Sequence, residues 1–351
     1  MQCFNAELAE VWMASVTRHG VPGLLTVGVP AWNARQSISA SLKSILASSF
    51  TNLEVIVSDN ASTDGTAAVA EAIAAEDVRV RVLKQPTNIG AARNFAQLLE
   101  MASGEFFAWV AADDSVETDY LGDCVHALQQ DDQAALAFGN VLMRFSSDES
   151  TVVTYKASRL FESSSRAKRF LATVRRFPSA HFYGVYRTTA LRSNDGLRGD
   201  VAADTLLVRR LSLGHTLLGV STSAYRYALS PKWKSPSEYA ESHGDLPRRR
   251  LRRPALYVFR DTVRDVWTTE MGAIERFQLV SSVTALEIWR VMGVVIAFML
   301  GRIPRIRKSQ SWALHVYRLI YGLDNVEIGN PDQFLRRVVL PTLRWRSSTE
   351  I

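Results

Sequence analysis

The sequence predicts an α/β fold: a mainly parallel β-sheet with helices on both faces. Short apolar, β-rich runs alternate with segments of helical periodicity between residues 24 and 113. The resulting order, β-α-β-α-β-α-β, is typical of such a sheet. The chain has 351 residues, 47% of them hydrophobic, which is enough to bury one large core plus an appendage, or two modest domains.

The first strand and helix are predicted before residue 50. The run LLTVGVP at 24–30 is short and apolar, and it ends in turn-forming residues from Pro30 to Asn33. Residues 37–47 then place apolar side chains at helical spacing, and LEVIVSD at 53–59 has the pattern of a buried strand.

Two more strands and two more helices follow. Ser62, Thr63 and Asp64 supply capping groups for the second helix, and VRVRVLK at 78–84 predicts the third strand. A third helix follows Gly90, and EFFAWVAAD at 105–113 predicts a fourth strand that runs into paired carboxylates.

Polar and aromatic residues cluster where these strands end, and ligands of parallel sheets bind beyond the carboxyl ends of the strands. The residues at the ends of the first, second and fourth strands are Trp32 and Asn33, Asp59 and Asn60, and Asp113 and Asp114. An aromatic ring stacks on a nucleobase, a carboxylate accepts from a base N–H, and adjacent carboxylates hold a divalent cation on a diphosphate. Together they predict a pocket for a nucleoside diphosphate.

Four segments of the chain resemble the inverting family 2 glycosyltransferases with a GT-A fold. They are TVGVPAWNARQSISASLKSILASSF, LEVIVSDNASTDGT, NIGAARNFA and GEFFAWVAADD, which lie within residues 24–120 in the family's order and spacing. The resemblance implies a Rossmann-like sheet flanked by helices. It also implies metal-assisted transfer of a sugar, with inversion, from a nucleotide-diphosphate sugar to an acceptor hydroxyl, in polysaccharide, glycolipid or glycosylated natural-product synthesis.

The resemblance also implies roles for individual residues. Trp32 takes the position of the aromatic residue that packs on the nucleobase, and Asp59 or Asn60 takes the position of the acid that recognises the base. The loop from Asn88 matches the segment near the donor phosphates, where backbone N–H groups and an Arg favour negative charge. The donor site implied in this way comprises Pro30, Trp32, Asn33, Asp59, Asn60, Asn88, Gly90, Arg93, Asn94 and Asp113.

The metal motif departs from the family's usual Asp-x-Asp, because Ala111 stands at the first Asp. Asp113 matches the second Asp, the usual direct ligand, and Asp114 is its neighbour, so both are candidate ligands for Mg²⁺ or Mn²⁺. With one carboxylate missing, coordination is expected to depend more on diphosphate oxygens and water, and affinity for the free metal is expected to be low.

The catalytic base implied by the resemblance is Asp204, in the segment VAADTLLVRRLSLGH at 201–215. An inverting transfer needs a carboxylate to take the proton from the acceptor hydroxyl. The alternative is that Asp204 caps a helix that starts near Thr205. Asp200 is the second candidate base, and His181 is either a pocket residue or a structural one.

The sequence predicts a GT-A domain at 22–230, with a nucleotide-sugar half at 22–120 and an acceptor half at 121–230, and a basic, mostly helical C-terminal region at 231–351. The apolar run 291–301 is far shorter than the ~20 residues that span a bilayer. Basic residues follow it: Arg302, Arg305, Arg307 and Lys308. The run is therefore either an interfacial helix on an anionic membrane or a buried helix.

Charge is divided unevenly along the chain. Residues 1–150 contain 8 Lys and Arg against 19 Asp and Glu, whereas residues 151–351 contain 33 against 16, with a basic cluster, RRRLRR, at 248–253. The basic part suits an anionic membrane surface or an acidic acceptor, and nucleic acid is the least favoured partner. The predicted acceptors are a saccharide, a lipid-linked sugar or a small molecule.

The cysteines and the N-terminus predict a cytoplasmic protein, peripheral to the inner face of the membrane if the C-terminal region binds lipid. Cys3 and Cys124 do not make a disulfide framework. The first twenty residues, with Glu7 and Glu10, lack the uninterrupted apolar core of a signal peptide.

Other functions are less consistent with the sequence. The first strand is followed by neither the G-x-G-x-x-G turn of a dinucleotide-dependent oxidoreductase nor a P-loop. A nucleotidyltransferase would share the general fold but would release diphosphate from a nucleoside triphosphate. The main alternative is a non-catalytic relative that binds a nucleotide sugar or serves as an assembly subunit, because Ala111 weakens the metal motif.

Overall fold

The computed structural model describes residues 20–145, 151–176, 179–198, 202–229, 254–301 and 326–328. Ten strands form one sheet. In chain order they are β1 Val21–Ala31, β2 Leu53–Asp59, β3 Val80–Lys84, β4 Gly104–Trp109, β5 Ser115–Val116, β6 Ala134–Phe145, β7 Thr151–Tyr155, β8 Val185–Arg187, β9 Thr216–Leu229 and β10 Val326–Ile328.

Nine α-helices lie within the described residues. They are α1 Ile38–Leu46, α2 Thr66–Glu76, α3 Ala91–Glu100, α4 Tyr120–Gln130, α5 Arg166–Arg176, α6 Thr188–Ser193, α7 Ala203–Gly214, α8 Pro254–Thr268 and α9 Ala273–Gly301. Two short 3₁₀ segments, Arg159–Phe161 and Ser179–Tyr183, join the later elements.

The N-terminal half confirms the predicted α/β pattern. Strands β3, β2, β1 and β4 lie side by side in parallel, with α1, α2 and α3 as the crossovers between them. In the register of the first two strands Ala31 lies opposite Asp59, and Asp59 in turn lies opposite Lys84 of β3. The carboxyl ends of these three strands are therefore level, which brings the residues that follow them to one edge of the sheet.

The second half of the sheet adds antiparallel pairings. Strand β8 pairs with β4 on one side and with β6 on the other, and β6 continues to β7 and β10. Strand β9 runs parallel to β6 and also pairs with the short β5, where Ser115 lies opposite Arg226. This pairing brings the chain just after Asp114 against the tyrosines of β9.

The fourth strand is shorter than predicted, because it ends at Trp109 and not at residue 113. The chain then turns, and the N–H of Asp114 donates to the carbonyl of Ala111 at 3.1 Å. Ser41 of α1 donates its hydroxyl to that same carbonyl at 3.0 Å. The carboxylates therefore stand on a turn held by a helix, at the edge of the sheet.

Two apolar layers cover the faces of the sheet, because side chains of a strand alternate between the faces. One layer contains Val27 and Val29 of β1 with Ile38 and Leu42 of α1. The other contains Ile56 of β2, Leu98 of α3, and Phe107 and Trp109 of β4. Helix α3 lies close to β1 at Gly28, where an added Cβ would meet the Leu98 Cβ at 3.0 Å.

Helices α8 and α9 confirm the helical pattern predicted between Ala255 and Arg290, and α9 continues to Gly301 through the apolar run 291–301. A third apolar cluster joins them to α5 and α7, through Val266, Leu279 and Val283 among others. None of the helices in the described residues is long and apolar enough to cross a membrane.

Buried ion pairs reinforce this packing. Asp265 of α8, which is 3% exposed, lies 3.1 Å from the guanidinium of Arg198 and 3.8 Å from that of Arg210 on α7. The predicted domain boundary between residues 230 and 231 and the cluster at 248–253 fall outside the described residues, as do Arg302, Arg305, Arg307 and Lys308. The boundary stays a prediction.

Candidate active site

The ends of β1 and β2 form the first part of the site. Trp32, directly after β1, has a partly exposed ring, while Pro30 is buried within the strand. Asn33 follows with a left-handed backbone (φ 49°), and its side-chain oxygen accepts from the N–H of Thr63 at 3.0 Å. This bond joins the two strand ends, and Trp32 is the residue next to it in the chain.

Asp59, the last residue of β2, has one occupied carboxylate oxygen and one without a partner. Its Oδ2 accepts from the N–H of Ser62 at 3.2 Å, whereas Oδ1 is buried with no hydrogen-bond partner in the described part of the chain. Buried acceptors are normally paired. The Oδ1 of Asp59 is therefore a natural acceptor for an N–H group of a bound ligand.

Asn60 and Asn88 hold the loop that leads into α3. Asn60 donates its amide to the side-chain oxygen of Asn88 at 2.8 Å and accepts from the N–H of Ile89 at 2.9 Å. Asn88 also accepts from the N–H of Gly90 at 2.8 Å. Gly90 has φ 83°, a backbone conformation that favours glycine. These residues set the position of the first N–H groups of α3.

Arg93 and Asn94, both predicted at the donor site, have different environments. Arg93 lies in the first turn of α3 and is exposed. Asn94 is 2% exposed, and it bonds to Ser58 of β2 through both its amide oxygen (2.6 Å from the Ser58 hydroxyl) and its amide nitrogen (3.0 Å from the Ser58 carbonyl). Asn94 thus fixes α3 to the sheet, and Arg93 is the side chain of this pair that can reach a ligand.

The turn after β4 separates the two predicted metal ligands. Asp113 is exposed, whereas Asp114 is buried. Both oxygens of Asp114 accept from β9: Oδ2 from the Tyr225 hydroxyl at 2.6 Å and Oδ1 from the N–H of Ala228 at 2.7 Å. Burial, followed by the charge of Asp113, raises the pKa of Asp114 well above its usual value. Asp114 is therefore less accessible to a cation than the exposed Asp113.

Tyr225 connects β9 to this turn, and we expect the contact to be important for stability. Its hydroxyl donates to Asp114 and accepts from the N–H of Ala111 at 3.2 Å. Tyr225→Phe should lower the free energy of unfolding by about 1–3 kcal/mol, because it leaves a buried carboxylate oxygen and a buried N–H without this partner. Urea unfolding measures the loss, with Tyr227→Phe on the same strand as the control. Equal losses in the two variants would contradict this role of Tyr225.

Two tyrosines that the sequence analysis did not select lie among the site carboxylates. Tyr183 and Tyr227 are partly exposed, with ring centroids 6.0 Å apart. Burial raises the pKa of both hydroxyls, and the charges of Asp113, Asp114 and Asp204 raise each pKa further. The three carboxylates therefore lie within electrostatic reach of the same two rings. The alternation Tyr-Arg-Tyr at 225–227 puts Tyr225 and Tyr227 on one face of a strand, and it was the available sequence signal for Tyr227.

Asp204 lies in the first turn of α7, partly buried. The residue preceding the helix, Ala202, has a left-handed backbone (φ 56°), and no side chain caps the helix from that position. Asp204 itself accepts from the N–H of Thr205 at 2.7 Å. Burial raises the pKa of Asp204, and the Thr205 hydrogen bonds and the Arg209 charge oppose this only in part. A raised pKa makes the carboxylate a stronger base.

The other two candidates at this end of the site are less suitable. Asp200, the second candidate base, lies outside the described residues. His181 is 1% exposed, and its ring stacks on Phe138 with centroids 4.6 Å apart. Burial lowers the pKa of His181 to about 3, so it is a neutral core residue.

The described residues contain no group of three or more His, Cys, Asp or Glu side chains that could hold a metal ion. The carboxylate of Asp113 is exposed and stays a predicted ligand for a cation whose other ligands would be diphosphate oxygens and water. The low affinity for free metal also stays a prediction.

Known proteins resemble this chain in sequence and fold. Residues 26–193 match the family model described as Glycosyl transferase family 2. "Glycosyltransferase GlyG" of Streptococcus pneumoniae is 32% identical over 117 residues, 33% of this chain and 38% of the relative. "GalNAc(5)-diNAcBac-PP-undecaprenol beta-1,3-glucosyltransferase" of Campylobacter jejuni is 30% identical over 182 residues, 51% of this chain and 57% of the relative. The matches thus span between about a third and just over half of these relatives.

Among solved structures, Staphylococcus aureus TarS 1-349 in complex with UDP-GlcNAc superposes with a TM-score of 0.54 at 18% identity, over 93% of this chain and 89% of that one. This likeness concerns the fold and confirms the predicted GT-A architecture. The family match begins within β1 and extends to the end of α6, so it includes the strand ends of the candidate site. Residues 26–193, just under half of the chain, are thus similar to glycosyl transferase family 2, in agreement with the resemblance of the N-terminal segments.

Proposed function

We propose that this protein is a glycosyltransferase that moves a sugar, with inversion, from a nucleotide-diphosphate sugar to an acceptor hydroxyl. The observation that carries the proposal is that Asp113 and Asp204 both lie within electrostatic reach of the partly exposed rings of Tyr183 and Tyr227. A leaving diphosphate needs positive charge at one end of the reacting bond, and an attacking hydroxyl needs a base at the other. The two carboxylates supply a metal ligand for the first and a base for the second.

The donor nucleotide binds at the ends of β1 and β2 in this proposal. The base packs on the partly exposed Trp32, and one of its N–H groups donates to the unpartnered Oδ1 of Asp59. The diphosphate lies towards the N-terminus of α3, where the backbone N–H groups beyond Gly90 and the exposed Arg93 favour negative charge.

Asp113 is the proposed protein ligand of a divalent cation, Mg²⁺ or Mn²⁺, bound together with the donor. When bound, the cation neutralises negative charge on the departing diphosphate. Asp114 is assigned to the fold and not to the cation, because both of its oxygens accept hydrogen bonds from β9. Its contacts hold the turn in the position that exposes Asp113.

Asp204 is the proposed general base. It takes the proton from the acceptor hydroxyl as that oxygen attacks the anomeric carbon and the bond to the diphosphate breaks. Inversion follows when attack and departure occur on opposite faces of the sugar. The raised pKa of Asp204 suits this role, because a more basic carboxylate is a better proton acceptor.

The acceptor is proposed to be a saccharide or a lipid-linked sugar that packs on Tyr183 and Tyr227. Partly exposed aromatic rings offer apolar faces to a sugar ring while their hydroxyls bond to its polar edge. The name of the Campylobacter jejuni relative specifies an undecaprenol-linked acceptor for that protein. It supports the same acceptor class for this chain.

A screen of nucleotide sugars tests the proposal. UDP-, GDP-, dTDP- and CMP-sugars, each with Mn²⁺ or Mg²⁺, are compared by thermal unfolding, and one donor at 100 times its dissociation constant should add about 2.7 kcal/mol of stability. Asp59→Asn should weaken that stabilisation, whereas Asp132→Asn, at a carboxylate 93% exposed, should not change it.

The same screen discriminates the alternatives. Stabilisation by no donor would contradict the proposal. Binding of a donor without transfer to any acceptor would favour a non-catalytic nucleotide-sugar-binding protein. Release of diphosphate from a nucleoside triphosphate with a sugar phosphate would favour a nucleotidyltransferase.

A further inference from the structure

The outward face of α9 is largely apolar. Between residues 274 and 292, the side chains that the structure describes as exposed are all uncharged: Ile274, Phe277, Gln278, Ser281, Ala285, Ile288, Trp289 and Met292. At 3.6 residues per turn they form a single stripe about 27 Å long. The exposure is substantial: 74% for Phe277 and 57% for Trp289. We call this stripe the α9 outer face.

The opposite side of α9 is also apolar, because Leu279 and Val283 are buried against α5 and α8. A surface helix that packs on a protein core normally has charged and polar residues on its other side. Here α9 has two apolar faces, and only the inner one is covered by the described residues.

The first two charged side chains of α9, Glu275 and Arg276, contact other parts of the protein. Glu275 lies 3.5 Å from the guanidinium of Arg166 on α5. Arg276 donates to the carbonyl of Thr269 at 3.1 Å, and its guanidinium lies 5.6 Å from the ring centroid of Trp267. The two charged residues near the start of α9 thus contact the protein and leave the α9 outer face uncharged there. An exposed apolar surface of this kind is expected of an interaction site.

The chemistry around the α9 outer face favours a membrane over a second copy of the chain. Arginines are concentrated at 248–253, before α8, and at 302–308, directly after α9, and residues 151–351 contain 33 Lys and Arg against 16 Asp and Glu. Apolar and aromatic residues on one face of a helix, in a chain segment rich in Lys and Arg, are typical of helices that lie on anionic bilayers. Two copies would instead bring the same excess positive charge together.

We propose that the α9 outer face lies in the headgroup region of an anionic membrane, with Phe277, Ile288 and Trp289 inserted, and that the excess positive charge of residues 151–351 favours this membrane. The helix lies along the surface, since no helix in the described residues can cross a bilayer. Trp289 is suited to this depth, because tryptophan concentrates at membrane interfaces. This surface is distinct from the transfer site, and its existence does not depend on the donor or the reaction.

Flotation of the full chain with vesicles tests the proposal. The chain should float with phosphatidylcholine vesicles that contain phosphatidylglycerol and much less with pure phosphatidylcholine. Phe277→Glu and Trp289→Glu should each weaken binding about tenfold, because each removes inserted apolar surface and adds a charge. Val78→Glu is the matched control, since Val78 is 99% exposed and lies before β3, and it should bind like the wild type.

Three further measurements make the outcome decisive. The thermal unfolding midpoints of the Glu variants should match the wild type, since the replaced side chains are exposed. Brominated lipid should quench tryptophan fluorescence on binding, and Trp289→Phe should reduce the quenching.

Failure of the wild type to float, or unchanged flotation of both Glu variants, would overturn the proposal. The proposal would also be overturned if the wild type were a dimer in solution, Phe277→Glu dissociated that dimer and neither protein bound vesicles. The α9 outer face would then be assigned to contact with a second copy of the chain.

Discussion

Asp204→Asn should lower the turnover number for sugar transfer by about 10²–10⁴-fold, because an amide does not accept the acceptor's proton as a carboxylate does. The variant should bind the donor nucleotide as tightly as the wild type, since the donor contacts proposed above lie on Trp32 and Asp59. Initial rates of nucleoside diphosphate release give the first quantity, and calorimetric titration with the donor gives the second.

The pH dependence of the wild type provides an independent check on the base. A base works only when deprotonated, so kcat/KM should fall as the pH falls through the pKa of Asp204. Burial raises that pKa, which moves the acid limb of the profile above the range of an ordinary Asp. Asp195→Asn is the matched control, because Asp195 precedes Asp204 by nine residues and has a side chain that is 70% exposed. The rate of this variant should stay within about twofold of the wild type. Near-normal turnover in Asp204→Asn would show that the base is another residue.

Asp113→Asn should eliminate the metal-dependent part of donor binding and reduce transfer by about 10³-fold. The reason is that Asp113 is the only exposed carboxylate of the Ala111–Asp114 turn, and metal stabilisation of a developing negative charge contributes several kcal/mol. Binding of the nucleotide without metal should persist, because it depends on the ends of β1 and β2. Thermal unfolding with the donor, with and without Mn²⁺, separates these two contributions.

The control for this change is Asp132→Asn, which removes the same charge from an exposed loop residue. It should keep the full Mn²⁺-dependent stabilisation. If Asp113→Asn also kept it, the metal would have to be bound elsewhere or not at all. Such a result would leave the assignment of Asp204 intact, because the two variants affect opposite ends of the reacting bond.

Much of the donor side could be predicted from the sequence because it depends on local patterns. The run 53–59 was predicted as a strand with the bounds that β2 has in the structure. Since parallel strands joined by helical crossovers end at the same edge, the polar residues after β1 and β2 could be placed together before any contact was known. Ala31 and Asp59 are in fact opposite one another.

Residues that depend on distant partners were harder to interpret. Asp113 and Asp114 are equivalent in the sequence, yet one is exposed and the other accepts two hydrogen bonds from β9, more than a hundred residues away. Asn94 matched a ligand-binding motif, but its side chain fixes α3 to Ser58. In each case the deciding partner lies on an element that no local periodicity relates to the residue.

The sequence by itself determined the α/β order, the common edge of the strand ends and the likeness to the family, because these depend on short-range periodicity and on motifs with fixed spacing. Only the tertiary structure decided that Asp113 and Asp204 both lie within electrostatic reach of Tyr183 and Tyr227, and that the described exposed residues of α9 are uncharged between 274 and 292. Those relations depend on how β9, α7 and α9 pack against the sheet. Packing of this kind is a property of the whole chain, and it is not encoded in any one segment.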